Sequence, residues 1–153
     1  MARRSREEKY PNTEVFQYYN RNPKNRLTSD CVIRAISTGL DIPYNQVVME
    51  MAQMQCDTGY DDASPQLIDK YLKSRGWVKQ KQPRKDDNTK YTGKEFCLEL
   101  QNNIWYDDVN AQHKIIANIG GHHIVAIIKG KIHDTWNSSK GCIGNFWVKP
   151  PIF

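Results

Sequence analysis

Four cysteines (Cys31, Cys56, Cys97, Cys142) and four histidines (His113, His122, His123, His133) are the side chains of this chain best suited to nucleophilic or acid–base chemistry. A cysteine attacks as its thiolate, which a helix N-terminus or a neighbouring cation stabilises. Cys31 follows Thr28-Ser29-Asp30, three residues that each suit a helix N-cap, and precedes the apolar-rich Val32-Ile33-Arg34-Ala35-Ile36. It therefore falls in the first turn of an expected helix, where unpaired N–H groups and the helix dipole favour negative charge. The same N–H groups can hold the oxyanion of a tetrahedral intermediate. Cys56 and Cys97 fall within or at the end of helical patterns and Cys142 in a Gly-containing turn, so none of these three shares that placement.

Thiol acyl transfer also needs a base and an acceptor that orients it. His122 opens a strand-like run directly after Gly120-Gly121, where absent side chains leave room for a substrate. Alternation along a strand puts His122 and His123 on opposite faces, so only one can face a thiol. The expected base is His122, with His123 as the alternative. Asp134 lies on the returning arm of a hairpin. If the turn centres on Lys129-Gly130-Lys131, Asp134 comes opposite about Ala126, on the face of Ile124 and His122. Asn137 takes its place if the register slips by one residue.

The elements that must position these groups follow from pattern. A helix from Cys31 would be closed near Gly39. A second starts at Asp41-Ile42-Pro43, with Val47, Val48, Met51 and Met54 on its buried side, and a third runs from Ser64-Pro65 to Gly76. Residues 79–90 form a polar loop, and Thr92-Gly93-Lys94-Glu95 has the form of a capping box. Strands are expected at 114–119, 122–128, 132–136 and 145–148. Helices first and an antiparallel sheet second make the class α+β. Residues 1–14 form a flexible basic tail, and residues 15–153 a single domain.

Composition bounds the alternatives. The 153 residues suffice for one core, and the charge is +5, from 22 Lys+Arg against 17 Asp+Glu. The basic clusters Arg3, Arg4, Arg6, Lys9 and Lys79, Lys81, Arg84, Lys85 suit solvated segments better than a nucleic-acid surface, and Tyr18, Tyr19, Trp105 and Tyr106 form no recognisable stacking motif. No run approaches a membrane span. The charged first nine residues lack the apolar stretch of a secretory signal, so the expected location is the cytoplasm. Without any Cys-x-x-Cys, the cysteines suit reduced thiols, and a zinc site from His113, His122, His133 and Cys142 lacks ligand spacing. No metal or other cofactor is expected. His113 and His133 are expected at the surface.

Asp30-Cys31-Val32-Ile33-Arg34-Ala35, then Gly121-His122-His123-Ile124-Val125-Ala126-Ile127 and Asp134-Thr135-Trp136, resemble the papain-like cysteine peptidase superfamily. The resemblance is closest to compact bacterial and phage-encoded members such as the bacteriocin-leader-processing peptidases. It rests on three short motifs across residues 25–148. It implies a helical half carrying the nucleophile and a sheet half carrying histidine and acceptor, with Trp136 shielding their hydrogen bond. It implies a peptidase or isopeptidase on a protein or peptide substrate, in the host cytoplasm if phage-encoded. The cathepsin signature is absent. The family's oxyanion glutamine upstream of the cysteine has no counterpart in place. Asn25 stands nearest, with Gln17 further away. A transglutaminase or deamidase uses the same triad, and a degenerate triad would leave a peptide-binding module.

Overall fold

The computed structural model describes residues 2–102 and 114–150. His113, Trp105 and Tyr106 lie outside the described residues. The chain is an α+β domain with helices concentrated toward its N-terminal half and a mixed sheet built mainly from its C-terminal half. In order, the elements are α1 (Arg6–Lys9), β1 (Phe16–Tyr18), α2 (Cys31–Leu40), α3 (Tyr44–Thr58), α4 (Pro65–Ser74), β2 (Val78–Gln80), α5 (Gly93–Asn102), β3 (Lys114–Ile119), β4 (His123–Ile128), β5 (Lys131–Asp134) and β6 (Ile143–Val148).

The sheet order is β1-β5-β4-β3-β6-β2. Pairing is antiparallel except at one edge, where β1 runs parallel to β5 with Phe16 opposite Ile132 and Tyr18 opposite Asp134. The expected all-antiparallel sheet is thereby corrected to a mixed one. Three residues are too few to show a period, and Phe16–Tyr18 becomes a strand only by finding β5.

Two apolar clusters sandwich the sheet. Ile116, Ile124 and Ala126 meet Val32, Ile33, Ala35 and Ile36 of α2, backed by Val47 and Met51 of α3 and Leu67, Ile68, Tyr71 and Leu72 of α4. Ile115, Ala117, Val125 and Ile127 meet Phe96, Cys97 and Leu100 of α5 on the opposite side. Each fully covered Ile or Leu contributes on the order of 2 kcal/mol. The Trp147 indole N–H donates to Asp69 at 2.9 Å, tying α4 to β6.

α2 is buried on nearly every side. Gly39 does not close it; a Cβ there would stand 2.3 Å from Ile116 Cδ1, so glycine is what lets the helix approach β3. The helix ends at Asp41, which adopts the left-handed conformation at φ 54°. The second helix departs from its expected buried face at Val48, which is 39% exposed. Residues 79–90 are only partly loop, since β2 reaches Gln80 and Arg84 bridges Lys90. The capping box at α5 forms on both arms: the Glu95 N–H donates to Thr92 Oγ1 at 3.2 Å and the Thr92 N–H to Glu95 Oε1 at 3.0 Å. Within residues 1–14, Ser5 caps α1, and the Arg6 guanidinium donates to the Thr135 carbonyl at 3.0 Å.

Candidate active site

Cys31 is the first residue of α2 and is half-buried. Asp30 stands at the N-cap position but its side chain does not cap. That frees the first-turn N–H groups of α2 from an N-cap carboxylate, so they remain available to a negative charge at Cys31. The Asp30 carboxylate turns instead to Arg34 Nε at 2.8 Å, the Tyr44 hydroxyl at 2.6 Å and Asn22 Nδ2 at 3.1 Å. These donors hold it ionised: burial pushes its pKa up, and the bonds from Tyr44, Arg34 and Asn22 pull it below the ordinary value.

The imidazole that reaches this helix is His123, not His122. His123 lies close enough to Cys31 for its imidazole to act on the thiol, and its Nε2 lies 2.5 Å from Asp134 Oδ2. With Nε2 committed to the carboxylate, Nδ1 is the nitrogen left for the sulfur. His122 is exposed in the turn before β4. That Asp134 partners His123 and not His122 has a physical cause in the β4–β5 hairpin. Ile128 pairs directly with Lys131, so the turn is the two residues Lys129-Gly130, at φ 51° and 73°. Positive φ at both central positions is the type I′ hairpin turn. Ala126 consequently faces His133 and not Asp134. Continued along the strands, that register sets Val125 opposite Asp134 and His123 opposite Trp136. Asp134 then shares strand parity with His123, and the Trp136 ring lies 4.8 Å from the His123 ring.

Asp134 is 2% exposed and held from both sides. Its Oδ1 accepts from Arg34 at 2.5 Å and from the Thr135 N–H at 2.7 Å, while Oδ2 meets His123. Burial raises its pKa, but the bonds from His123 and Arg34 leave it lowered. For His123, burial opposes the charge, and the bonds to Asp134 and Cys31 outweigh it, pushing the pKa up to about 9. Burial likewise opposes ionisation of Cys31. The bonds from His123 and from the Ile124 N–H, with the charges of His123 and Arg34, bring that thiol below its ordinary value. A lowered thiol beside a raised imidazole favours a thiolate–imidazolium pair.

The other expected site residues lie apart from this cluster. Asn25 is exposed, in a left-handed conformation, and accepts from Asn20 at 3.3 Å. Gln17 donates to the Tyr18 carbonyl. Asn137 accepts from the Ser139 N–H at 3.0 Å, which orders its own turn. Gly120 and Gly121 sit in the β3–β4 turn at φ 65° and 91°; a Cβ on either would meet nothing, so these glycines serve backbone conformation and not close approach. A cleft of about 380 Å³ borders them, lined also by Gln82, Lys90, Asn118 and Cys142. His133 is half-buried with its ring edge toward Tyr19. Among the described residues, no three His, Cys, Asp or Glu side chains gather to hold a metal ion, and no helix is long and apolar enough to cross a membrane.

Sequence reasoning missed Arg34, Asn22 and Tyr44. Only the i,i+4 spacing of Asp30 and Arg34 signalled any of this, as an ordinary helix pair. Comparison with family models, with curated proteins and with solved structures gives no match.

Proposed function

We propose that this chain is a cysteine-dependent hydrolase, a peptidase or isopeptidase of papain-like design, in which Cys31 is the nucleophile, His123 the general base and acid, and Asp134 the residue that orients the imidazole. The observation that carries this reading is the His123 imidazole, which stands beside Cys31 at the start of α2 and lies 2.5 Å from the buried Asp134 Oδ2. A thiol, a proton carrier and a buried anion to orient it are the groups acyl transfer requires.

The Cys31 thiolate adds to the substrate carbonyl carbon. The resulting oxyanion is held by first-turn N–H groups of α2. The His123 imidazolium gives its proton to the leaving amine as the C–N bond breaks, which leaves a thioester on Cys31 and a neutral imidazole. That imidazole removes a proton from water as the water oxygen attacks the thioester; the sulfur then leaves as thiolate and the carboxylic acid departs, which restores the thiolate–imidazolium pair. Asp134 keeps its charge throughout and stabilises the imidazolium. Trp136 against the His123 ring limits water access to the His123–Asp134 bond. An amine acceptor in place of water would make the same steps a transamidation.

The test is iodoacetamide labelling near neutral pH followed by peptide mapping. Cys31 is expected to be modified well ahead of Cys56 and Cys142, although both of these are more exposed. Labelling that simply follows exposure would refute an activated thiol at Cys31.

A further inference from the structure

Arg34 lies one turn along α2 from Asp30 and three residues after Cys31, inside a helix with almost no solvent contact. Its side chain is only 9% exposed, yet it carries a full charge. One arm of the guanidinium, Nε, donates to Asp30 at 2.8 Å, and another, Nη1, to Asp134 at 2.5 Å. A single cation thus joins the residue preceding the nucleophile to the residue behind the imidazole. Tyr44 and Asn22 complete the shell around Asp30, and the Thr135 N–H completes it around Asp134.

We propose that Arg34 is a positioning residue for the Cys31–His123 pair: it fixes the Asp134 carboxylate in the orientation His123 requires, and it neutralises Asp30, whose charge adjoins the thiol. The proposal rests on the reading of Cys31 as nucleophile. With the site ionised, Asp30, Asp134 and the thiolate are three anions, and Arg34 and His123 offset two of those charges. Without Arg34, three anions face one cation, and thiolate formation becomes harder. Among the described residues, the other titratable groups around the cluster are the Tyr18 hydroxyl on β1, Glu7 acting on Tyr18, the Tyr44 hydroxyl on α3 and Arg6 at the Thr135 carbonyl. None of them spans both carboxylates. Lysine would not replace Arg34 fully, because one ammonium lacks the planar fork that donates in two fixed directions.

The experiment measures the rate of Cys31 alkylation by iodoacetamide across pH in the full chain, for wild type, Arg34→Gln, Arg34→Lys and Asp30→Asn, with circular dichroism as a check on folding. Arg34→Gln is expected to move the alkylation midpoint upward and to slow alkylation at pH 6 about tenfold, the equivalent of one pH unit. Arg34→Lys should fall between Arg34→Gln and wild type, and it stands in for Arg34→Gln if the latter does not fold. Asp30→Asn, which removes an anion and leaves Arg34 on Asp134, should move the midpoint down. A folded Arg34 variant with the wild-type midpoint, or an Asp30→Asn midpoint that stays or rises, would overturn the proposal. If wild-type Cys31 itself alkylates with the midpoint of an ordinary thiol, the nucleophile reading fails first, and the two failures are told apart.

Discussion

The start of α2 and the middle of α5 both place a cysteine on a helix packed against the same sheet, yet the two thiols are driven in opposite directions. Cys97 is fully covered among Phe96, Leu100 and the sheet, and burial pushes it up to about 12. Cys31 also suffers desolvation, but His123, the Ile124 N–H and Arg34 reverse the outcome. The helix ends differ correspondingly. α5 commits its first-turn donors, Glu95 N–H to Thr92 and the Gly93 and Lys94 N–H groups to the Gly141 and Ser139 carbonyls, whereas the Asp30 side chain leaves the α2 terminus uncapped. Burial silences a thiol unless donors and cations arrive with it.

The largest test of that contrast removes each sulfur in turn. If Cys31 is the nucleophile proposed above, Cys31→Ser is expected to lower peptide-bond or thioester turnover by about 10³-fold or more, since it removes the attacking thiol. Cys97→Ser should keep its turnover and lose stability instead, by roughly 1–3 kcal/mol, because a hydroxyl would be buried in an apolar cluster. Turnover assays and thermal melts on both variants check the pair. Comparable turnover losses at the two positions would mean that neither helix is special.

The second test separates adjacent histidines. His123→Gln should cost about 10²–10⁴-fold in turnover, the usual range for a lost general base, while His122→Gln at its exposed turn position should change little. The pH profile sharpens the point. A thiolate–imidazolium pair would be lost as pH falls and the thiol protonates, and again as pH rises through about 9 and His123 gives up its proton. Activity should therefore be bell-shaped, with its alkaline limb near 9. Asp134→Asn, lacking the anion that holds the imidazolium, should pull that limb down toward the ordinary imidazole range. A limb that stays in place in Asp134→Asn would disconnect Asp134 from the base.

What was legible in the sequence was local. Three successive capping residues before an apolar face located the start of α2, and Thr-x-x-Glu located α5. The hairpin that carries the histidine and Asp134 was visible, but its register was not. Lysine at positive φ is an unusual first residue for a two-residue turn, so Lys129-Gly130 gave weaker guidance than Asn-Gly would have. The resulting slip of one residue exchanged His122 for His123. Asp30 posed the converse difficulty. It is one of three residues that suit the helix N-cap, and its actual partners Tyr44 and Asn22 come from elements that only the fold brings near. Gly39 suggested a helix end because sequence shows what glycine permits, not that Ile116 would occupy the space.

The smallest expected effect returns to the two helix ends. Thr92→Ala removes one arm of the α5 capping box, the bond from the Glu95 N–H to Thr92 Oγ1 at 3.2 Å. Such losses cost about 1 kcal/mol, and the melting temperature should fall by a few degrees accordingly. The rate of Cys31 alkylation should stay unchanged, because α5 packs its apolar face on the side of the sheet opposite α2. Should alkylation slow together with melting, the state of Cys31 would depend on the general rigidity of the domain. An unchanged rate in a less stable protein would confine thiol activation to the α2 terminus and to the residues that converge on it: His123, Asp134, Arg34 and the Ile124 N–H.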